Sequence, residues 1–106
     1  FSTGPDIDGL YRRYPLVYIY KGNIYPSLAV QAARHYLNKD IELVLDEDGV
    51  NSFSLAGMTL SRTNALKLNF YDSLHGISAS DVLEGNVAPS FIKDKIVLVG
   101  ITEPGI

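Results

Sequence analysis

Short runs of β-branched and aromatic residues, each closed by a tight turn, recur along this chain. Residues 16–25 hold one pair of such runs around a turn at 21–23, and residues 41–55 hold another around a turn at 46–49. Glycine, asparagine and aspartate supply the positive φ angles and local hydrogen bonds that close hairpins. The spacing therefore predicts two antiparallel hairpins.

One amphipathic helix follows the first of these hairpins. Apolar residues recur at helical spacing directly after Ser27, and they are Leu28, Ala29, Ala32, Ala33, Tyr36 and Leu37. Serine is a preferred N-cap, and apolar residues three and four apart form one face of a helix. The pattern predicts a helix that begins after Ser27, ends near Asn38 and packs its alanine-rich side closely on a sheet.

The rest of the chain predicts further strands and a second, brief helix. Apolar residues resume at 58–60 and alternate with polar ones at 66–70, as in strands. Residues 78–81 approximate a capping box, with Asp81 where Glu or Gln is usual, and together with Gly85 they delimit a short helix. Residues 95–100 are apolar without alternation, which is typical of a central strand covered on both faces. We therefore expect the α/β class in its mixed α+β form, with a mixed β-sheet, hairpins and helices packed on it.

Size and composition restrict the class of protein. The chain has 106 residues, 46% of them hydrophobic and 20% charged, which fits one globular domain over residues 1–106. The net charge of -3 gives no support to nucleic-acid binding. The apolar run at 96–99 is far shorter than the ~20 residues of a membrane span. Because the chain begins at Phe1 without a signal peptide, we interpret it as a fragment of a larger protein.

Motifs for catalysis, metal binding and cofactor binding are incomplete. The glycine spacing at 100–105 resembles a phosphate loop but lacks the lysine that must follow. The acidic turn at 46–49 lacks the first and last ligands of a calcium loop. His35 and His75 have no zinc-site spacing, and Ser78 is better explained as a helix cap than as a nucleophile. We predict no catalytic residue, metal or cofactor, although a carboxylate pair from distant segments stays open.

Two adjacent arginines, Arg12 and Arg13, are the most distinctive charged feature. One interpretation pairs them with Asp6 or Asp8, which would hold the acidic turn on the sheet. The other makes them an anion-binding site, because guanidinium groups match carboxylate and phosphate oxygens. Neighbouring strand residues point to opposite faces, so both arginines are not expected to serve one ligand.

Tyrosines are concentrated near these arginines in the sequence. Tyr18 and Tyr20 lie in the first predicted hairpin together with Tyr25. Tyrosine packs in cores and at sheet edges more often than it forms a stacking platform. If the chain binds a ligand, Arg12, Arg13, Tyr18 and Tyr20 are the predicted contacts.

Beyond these local patterns, a series of motifs runs in order through nearly the whole chain. The motifs are residues 5–16, Gly22, residues 25–29, 32–34, 69–71, 78–85 and 95–100. In this order and spacing the chain resembles the second type of CHASE domain, the cyclase/histidine-kinase-associated sensory extracellular domain. Residues 70–72 and 101–103 depart from the usual family pattern.

The resemblance implies an extracytoplasmic sensor that is anchored by transmembrane segments. In this family the sensor is coupled to an adenylate or diguanylate cyclase, a histidine kinase or a serine/threonine kinase, and the chain resembles the later part of the longer family domain. The expected partner is an unknown small ligand or an extracytoplasmic protein. Two rival hypotheses are a truncated nucleotide-binding or hydrolytic α/β enzyme and a structural module that forms a homodimer.

Overall fold

The computed structural model describes residues 5–62, 65–70 and 74–101. The elements within these residues, in chain order, are β1 (Arg13–Pro15), β2 (Val17–Tyr20), β3 (Asn23–Pro26), α1 (Leu28–Leu37), β4 (Ile41–Asp46), β5 (Gly49–Leu55), β6 (Met58–Ser61), β7 (Ala65–Lys67), α2 (Ala79–Leu83) and a 3-10 helix (Pro89–Phe91). The chain divides into two compact units, residues 1–70 and residues 71–106. Every strand in the described part of the chain belongs to the first unit.

The described strands form three small antiparallel sheets, in which β1 pairs with β7, β2 with β3, and β5 with both β4 and β6. Both predicted hairpins are confirmed. The hairpin from β5 to β6 turns at Ala56 and Gly57, whose φ angles of 50° and 83° match the twist of an antiparallel pair. The mixed α+β class is confirmed. Its strands are divided among three sheets, and in two of these sheets two-residue turns pair each strand with its sequence neighbour.

The β1–β7 sheet is the exception, because it joins distant parts of the sequence. Residues 13–15 pair with residues 65–67 in antiparallel register. The backbone N–H of Leu68 donates to the carbonyl of Arg12 at 2.7 Å, so the pairing continues one step further. The strand expected at 66–70 is therefore present only at its beginning.

The buried core of the first unit contains Leu16, Val17, Val30, Phe53 and Leu55. Phe53 and Leu55 lie on one face of β5, as the alternation predicted, because successive strand residues point to opposite sides. Burying each of these apolar side chains contributes about 1.5–3 kcal/mol relative to leaving it exposed. The sheets and helix of the first unit are held by this small cluster.

Helix α1 is confirmed, but the side that it turns inward differs in part from the one predicted. Ser27 is the N-cap and Asn38 the C-cap, where a φ of 50° ends the helix. Val30 is the buried helix residue, with Ala33 packed beside the core. Leu28 is 70% exposed whereas Ala33 packs beside the core, so the predicted stripe faces the core only in part. The β-branched Val30 removes more apolar surface from water than an alanine would, which favours this orientation.

In the second unit, the predicted brief helix is confirmed as α2. Residues 95–100, expected to be a covered central strand, form no strand, and Val99 is 90% exposed. A strand requires a second strand to satisfy its backbone N–H and C=O groups. The described residues of this unit contain no such partner strand. The apolar pattern of residues 95–100 is therefore not sufficient by itself to form a strand. That expectation was wrong for this structure.

Some sequence-based expectations concern residues outside the described ranges. They are residues 63–64 of the turn before β7, the loop around Asp72, and the chain exit at 102–106.

Candidate functional site

A tight acidic turn precedes β1 and positions Arg12. The N–H of Gly9 donates to the carbonyl of Asp6 at 2.8 Å, and the N–H of Asp6 donates to the carbonyl of Leu10 at 2.8 Å. The N–H of Leu10 also donates to Oδ1 of Asp8 at 3.2 Å. Aspartate side chains commonly stabilise turns by bonding to a backbone N–H two residues ahead. Both carboxylates are thereby oriented toward the start of β1.

Arg12 binds both carboxylates of this turn. Its Nη1 donates to Asp6 Oδ2 at 3.0 Å and to Asp8 Oδ1 at 2.8 Å, while its Nη2 donates to Asp8 Oδ2. Arg12 lowers the pKa of the Asp8 carboxyl, helped by the Leu10 N–H. In return, Asp8 and then Asp6 raise the pKa of the guanidinium. The structural interpretation of Arg12 is confirmed, since its guanidinium holds the turn.

Two open concavities adjoin this turn. One, of about 410 Å³, is lined by Asp6, Ile7, Asp8 and Arg12. The other, of about 470 Å³, is lined by Leu10, Tyr11, Arg12 and Phe70. Small-molecule sites are usually concave and enclose most of their ligand, with a few well-placed polar groups. These concavities are open, and the charged groups of the first already bind each other.

Tyrosines cover the outer side of the β2–β3 hairpin. Tyr18 lies directly opposite Tyr25, and Tyr20 lies opposite Asn23, so all four side chains project from one side. Tyr20 is 62% exposed and Tyr25 49% exposed. The Nζ of Lys21 lies 5.4 Å from the centre of the Tyr20 ring, within range of a cation–π interaction. We call these residues, Tyr18, Tyr20, Lys21, Asn23 and Tyr25, the tyrosine face.

The predicted ligand contacts thus occupy different places in the first unit. Tyr18 and Tyr20 come together on the tyrosine face. Arg12 holds the acidic turn, whereas Arg13 lies on β1 opposite Lys67. Within the described part of the chain, no hydrogen bond joins either arginine to Tyr18 or Tyr20. Their role as ligand contacts stays a prediction.

Reasoning from local motifs missed Lys21 and Lys67, although a signal for a cationic region was available. Residues 9–39 contain five lysines and arginines, six of the seven tyrosines, and no aspartate or glutamate. The net charge of -3 conceals this asymmetry because the acidic residues lie on either side of the segment. Charge counted by segment would have indicated a cationic, aromatic surface.

Elsewhere, the structure shows the position of the serine that the sequence offered as a helix cap or a nucleophile. Ser78 occupies the N-cap position of α2 as predicted, but its hydroxyl shares a 2.7 Å hydrogen bond with Ser80 Oγ instead of capping the backbone. No group of three histidine, aspartate or glutamate side chains suited to a metal ion occurs in these residues. None of their helices has the length and apolar character needed to cross a bilayer.

The comparison with protein families decides the class. The family model described as CHASE2 domain matches residues 1–106, the whole chain. The chain belongs to the CHASE2 domain family. CHASE2 domains are extracellular sensory domains of cyclase- and kinase-type signalling proteins. No curated protein and no solved structure matches the chain.

Proposed function

We propose that the chain is the non-catalytic signal-input domain of a membrane-anchored protein, such as a nucleotide cyclase or a histidine kinase. It lies on the extracytoplasmic side of the membrane and binds a small ligand or a partner protein there. Membership of the CHASE2 family supports the sensory role. A sensor needs two conformations in equilibrium, and the ligand shifts this equilibrium because it binds one conformation more tightly than the other. The resulting change in packing is then transmitted to the transmembrane segments.

The exposed tyrosine face is the observation that supports the assignment of particular residues to binding. Tyr20 and Tyr25 are well exposed, and Lys21 adds a cation next to an aromatic ring. Tyrosine offers a rigid contact area with a polar tip at low cost in side-chain entropy, which is why it is common in binding surfaces. In this proposal Tyr18, Tyr20 and Tyr25 contact the ligand or partner.

The arginines have separate roles in the proposal. Arg12 is a positioning residue, because Asp6 and Asp8 already occupy its guanidinium. Arg13 keeps its guanidinium available for a ligand, since it makes no ion pair within the described residues. The two neighbours therefore do not act on one ligand.

The test measures the output of the complete signalling protein at increasing stimulus. Tyr20→Ala with Tyr25→Ala should raise the stimulus concentration for a half-maximal response by at least about thirtyfold, because truncating even one hot-spot tyrosine costs about 2 kcal/mol or more. The matched control removes two exposed apolar residues from the three-stranded sheet, Val44→Ala with Met58→Ala. An unchanged response in the tyrosine-face variant, with normal folding by circular dichroism, contradicts the assignment of this face.

The cellular side can be tested separately because the chain contains no cysteine. Lys21→Cys gives a single exposed thiol on the tyrosine face. A membrane-impermeant maleimide should label it in intact cells if the domain is extracytoplasmic. Labelling only after lysis would refute the proposed location.

A second candidate function is a dimerisation module, which the outer side of α1 favours. Leu28 is 70% exposed and Tyr36 59% exposed, and Ala29 lies exposed beside them. Small residues on such a face allow a second helix to approach closely. Sedimentation equilibrium should then show association that Leu28→Glu abolishes and Met58→Glu, on β6, does not. Monomeric behaviour at all concentrations excludes this alternative.

A further inference from the structure

Two cations face each other across the β1–β7 sheet. Arg13 on β1 is the direct partner of Lys67 on β7. Directly opposite residues of an antiparallel pair project from the same side of the sheet. Both residues are exposed, whereas the neighbouring pair Tyr14 and Leu66 is half-buried on the other side. Arg13 and Lys67 therefore share the solvent side of this sheet.

The hydrogen-bond pattern of the sheet indicates that Arg13 and Lys67 lie close together. The N–H of Leu68 donates to the carbonyl of Arg12 at 2.7 Å, which identifies these two as a hydrogen-bonded pair. Hydrogen-bonded and non-hydrogen-bonded pairs alternate along an antiparallel ladder, so Arg13 and Lys67 form the non-hydrogen-bonded kind. In such pairs the Cα atoms are only about 4.5 Å apart and the side chains are closest.

These two cations also lack the ion-pair partners that Arg12 and Arg34 have. Arg12 binds Asp6 and Asp8, and Arg34 binds Asp40 at 2.9 Å. Arg13 and Lys67 form no ion pair in the part of the chain that the structure describes. Like charges directly opposite each other destabilise strand pairing. An anion bound between them would remove the repulsion and strengthen the pairing.

We propose that Arg13 and Lys67 bind a small soluble ligand through a carboxylate or phosphate group. The planar guanidinium of Arg13 can donate two parallel hydrogen bonds to such a group, and Lys67 adds a compact positive charge. This inference deepens the proposed sensory function and rests on it. It gives a chemical class to one ligand, at a site on the β1–β7 sheet that is additional to the tyrosine face.

The position of the site also connects binding to the fold. The other described sheets are built from hairpins, whereas β1–β7 joins residues 13–15 to residues 65–67. A ligand that bridges Arg13 and Lys67 therefore fastens the two ends of the first unit. Binding to the paired arrangement shifts the balance between paired and separated strands, which is the two-state element that a sensor requires.

The test is a titration of the protein with inorganic phosphate and, separately, succinate at low ionic strength, followed by NMR. At least one probe should shift the signals of the Arg13 side chain and the Lys67 amide. Arg13→Gln with Lys67→Gln should weaken binding by about tenfold or more, because hydrogen bonds to charged groups are worth about 1.5–3 kcal/mol. Lys39→Gln with Arg62→Gln removes the same charge from the same unit and should change the affinity less than about twofold, because Lys39 follows α1 and Arg62 follows β6, outside the β1–β7 pair.

Three results would overturn the proposal. They are no binding of either probe, equal weakening in the two double variants, and binding only to phosphatidylglycerol vesicles with no response to either free anion. If the glutamine variant does not fold, Lys67→Glu replaces it, because an opposite-charge pair supports the sheet while filling the anion site. A folded Lys67→Glu protein that binds the probe as tightly as the original also overturns the proposal.

The same variants and anion probes distinguish a failure of this inference from a failure of the proposed function. If the anion binds at Arg13 and Lys67 but never alters the output of the complete protein, the site stands and the sensory role for that anion fails. If the tyrosine-face variant abolishes signalling while neither probe binds, the sensory role stands and the anion site fails.

Discussion

The two compact units are similar in composition but very different in burial. The first contains the whole described core, from Leu16 to Leu55, and all the described strands. The second has an apolar run at 96–99 that is as hydrophobic as any core strand, yet its described residues include none that is buried. Hydrophobicity makes burial favourable, but only paired backbone and facing side chains provide a place for it. Matched substitutions in the two units test this contrast.

Phe53 provides the most severe test. Phe53→Ala should lower the free energy of unfolding by about 3–5 kcal/mol, because the ring is fully buried in the central strand of the three-stranded sheet and truncation leaves a cavity. Phe91→Ala in the second unit should lower it by less than about 1 kcal/mol, because that ring is 62% exposed. Urea unfolding measures both, and equal losses would remove the contrast between the units.

A pair of matched valine substitutions compares the units more directly. Val17→Thr should destabilise the protein by about 1–3 kcal/mol, because a hydroxyl is placed in a fully buried position. Val99→Thr should change stability by no more than about 0.5 kcal/mol, because Val99 is 90% exposed. A loss at Val99 as large as that at Val17 would show that residues 96–99 are covered in solution.

One substitution should stabilise the long-range pairing of β1 with β7 in the first unit. Lys67→Glu should raise the free energy of unfolding by about 0.2–1 kcal/mol, because a like-charge pair with Arg13 becomes an opposite-charge pair. The gain should lie toward the lower end, since both residues are exposed and salt screens them. Lys39→Glu is the control for the change in net charge. A destabilised Lys67→Glu protein would mean that the two cations do not repel.

The smallest effect concerns pH and the acidic turn. The pKa of Asp8 is lower in the folded protein because Arg12 and the Leu10 N–H stabilise its carboxylate. This contribution is complete above the unfolded-state pKa of about 3.9 and is lost as the pH falls through the lower folded value. Asp8→Asn should therefore flatten the stability profile below about pH 4, measured by thermal unfolding. An unchanged acid profile would contradict the ion pair.

Local sequence patterns predicted most of the elements in the first unit. The hairpin turns and the limits of α1 depend on residues within a few positions of each other, so glycine, Ser27 and Asn38 are informative by themselves. The orientation of α1 was not predictable in the same way. Leu28 and Val30 both suit a helix, and only the position of the sheet decides which one faces the core.

The candidate sites show the same division. The pairing of Arg12 with the acidic turn was predictable because only a few residues separate the charges. The meeting of Arg13 with Lys67 was not, because it depends on the register of two strands that are about fifty residues apart in the sequence. The tyrosine face is intermediate, since the hairpin was predictable and the exposure of its outer side was not.

Nearby residues and their order were enough to predict the hairpins, the extent of α1 and the CHASE2 family of this chain. The tertiary structure alone decided which apolar residues are buried and which cations face each other. Those outcomes depend on strand register and on the surfaces available for packing. Such contacts join segments that are distant in the sequence, and a local pattern does not predict which segment will pair with which.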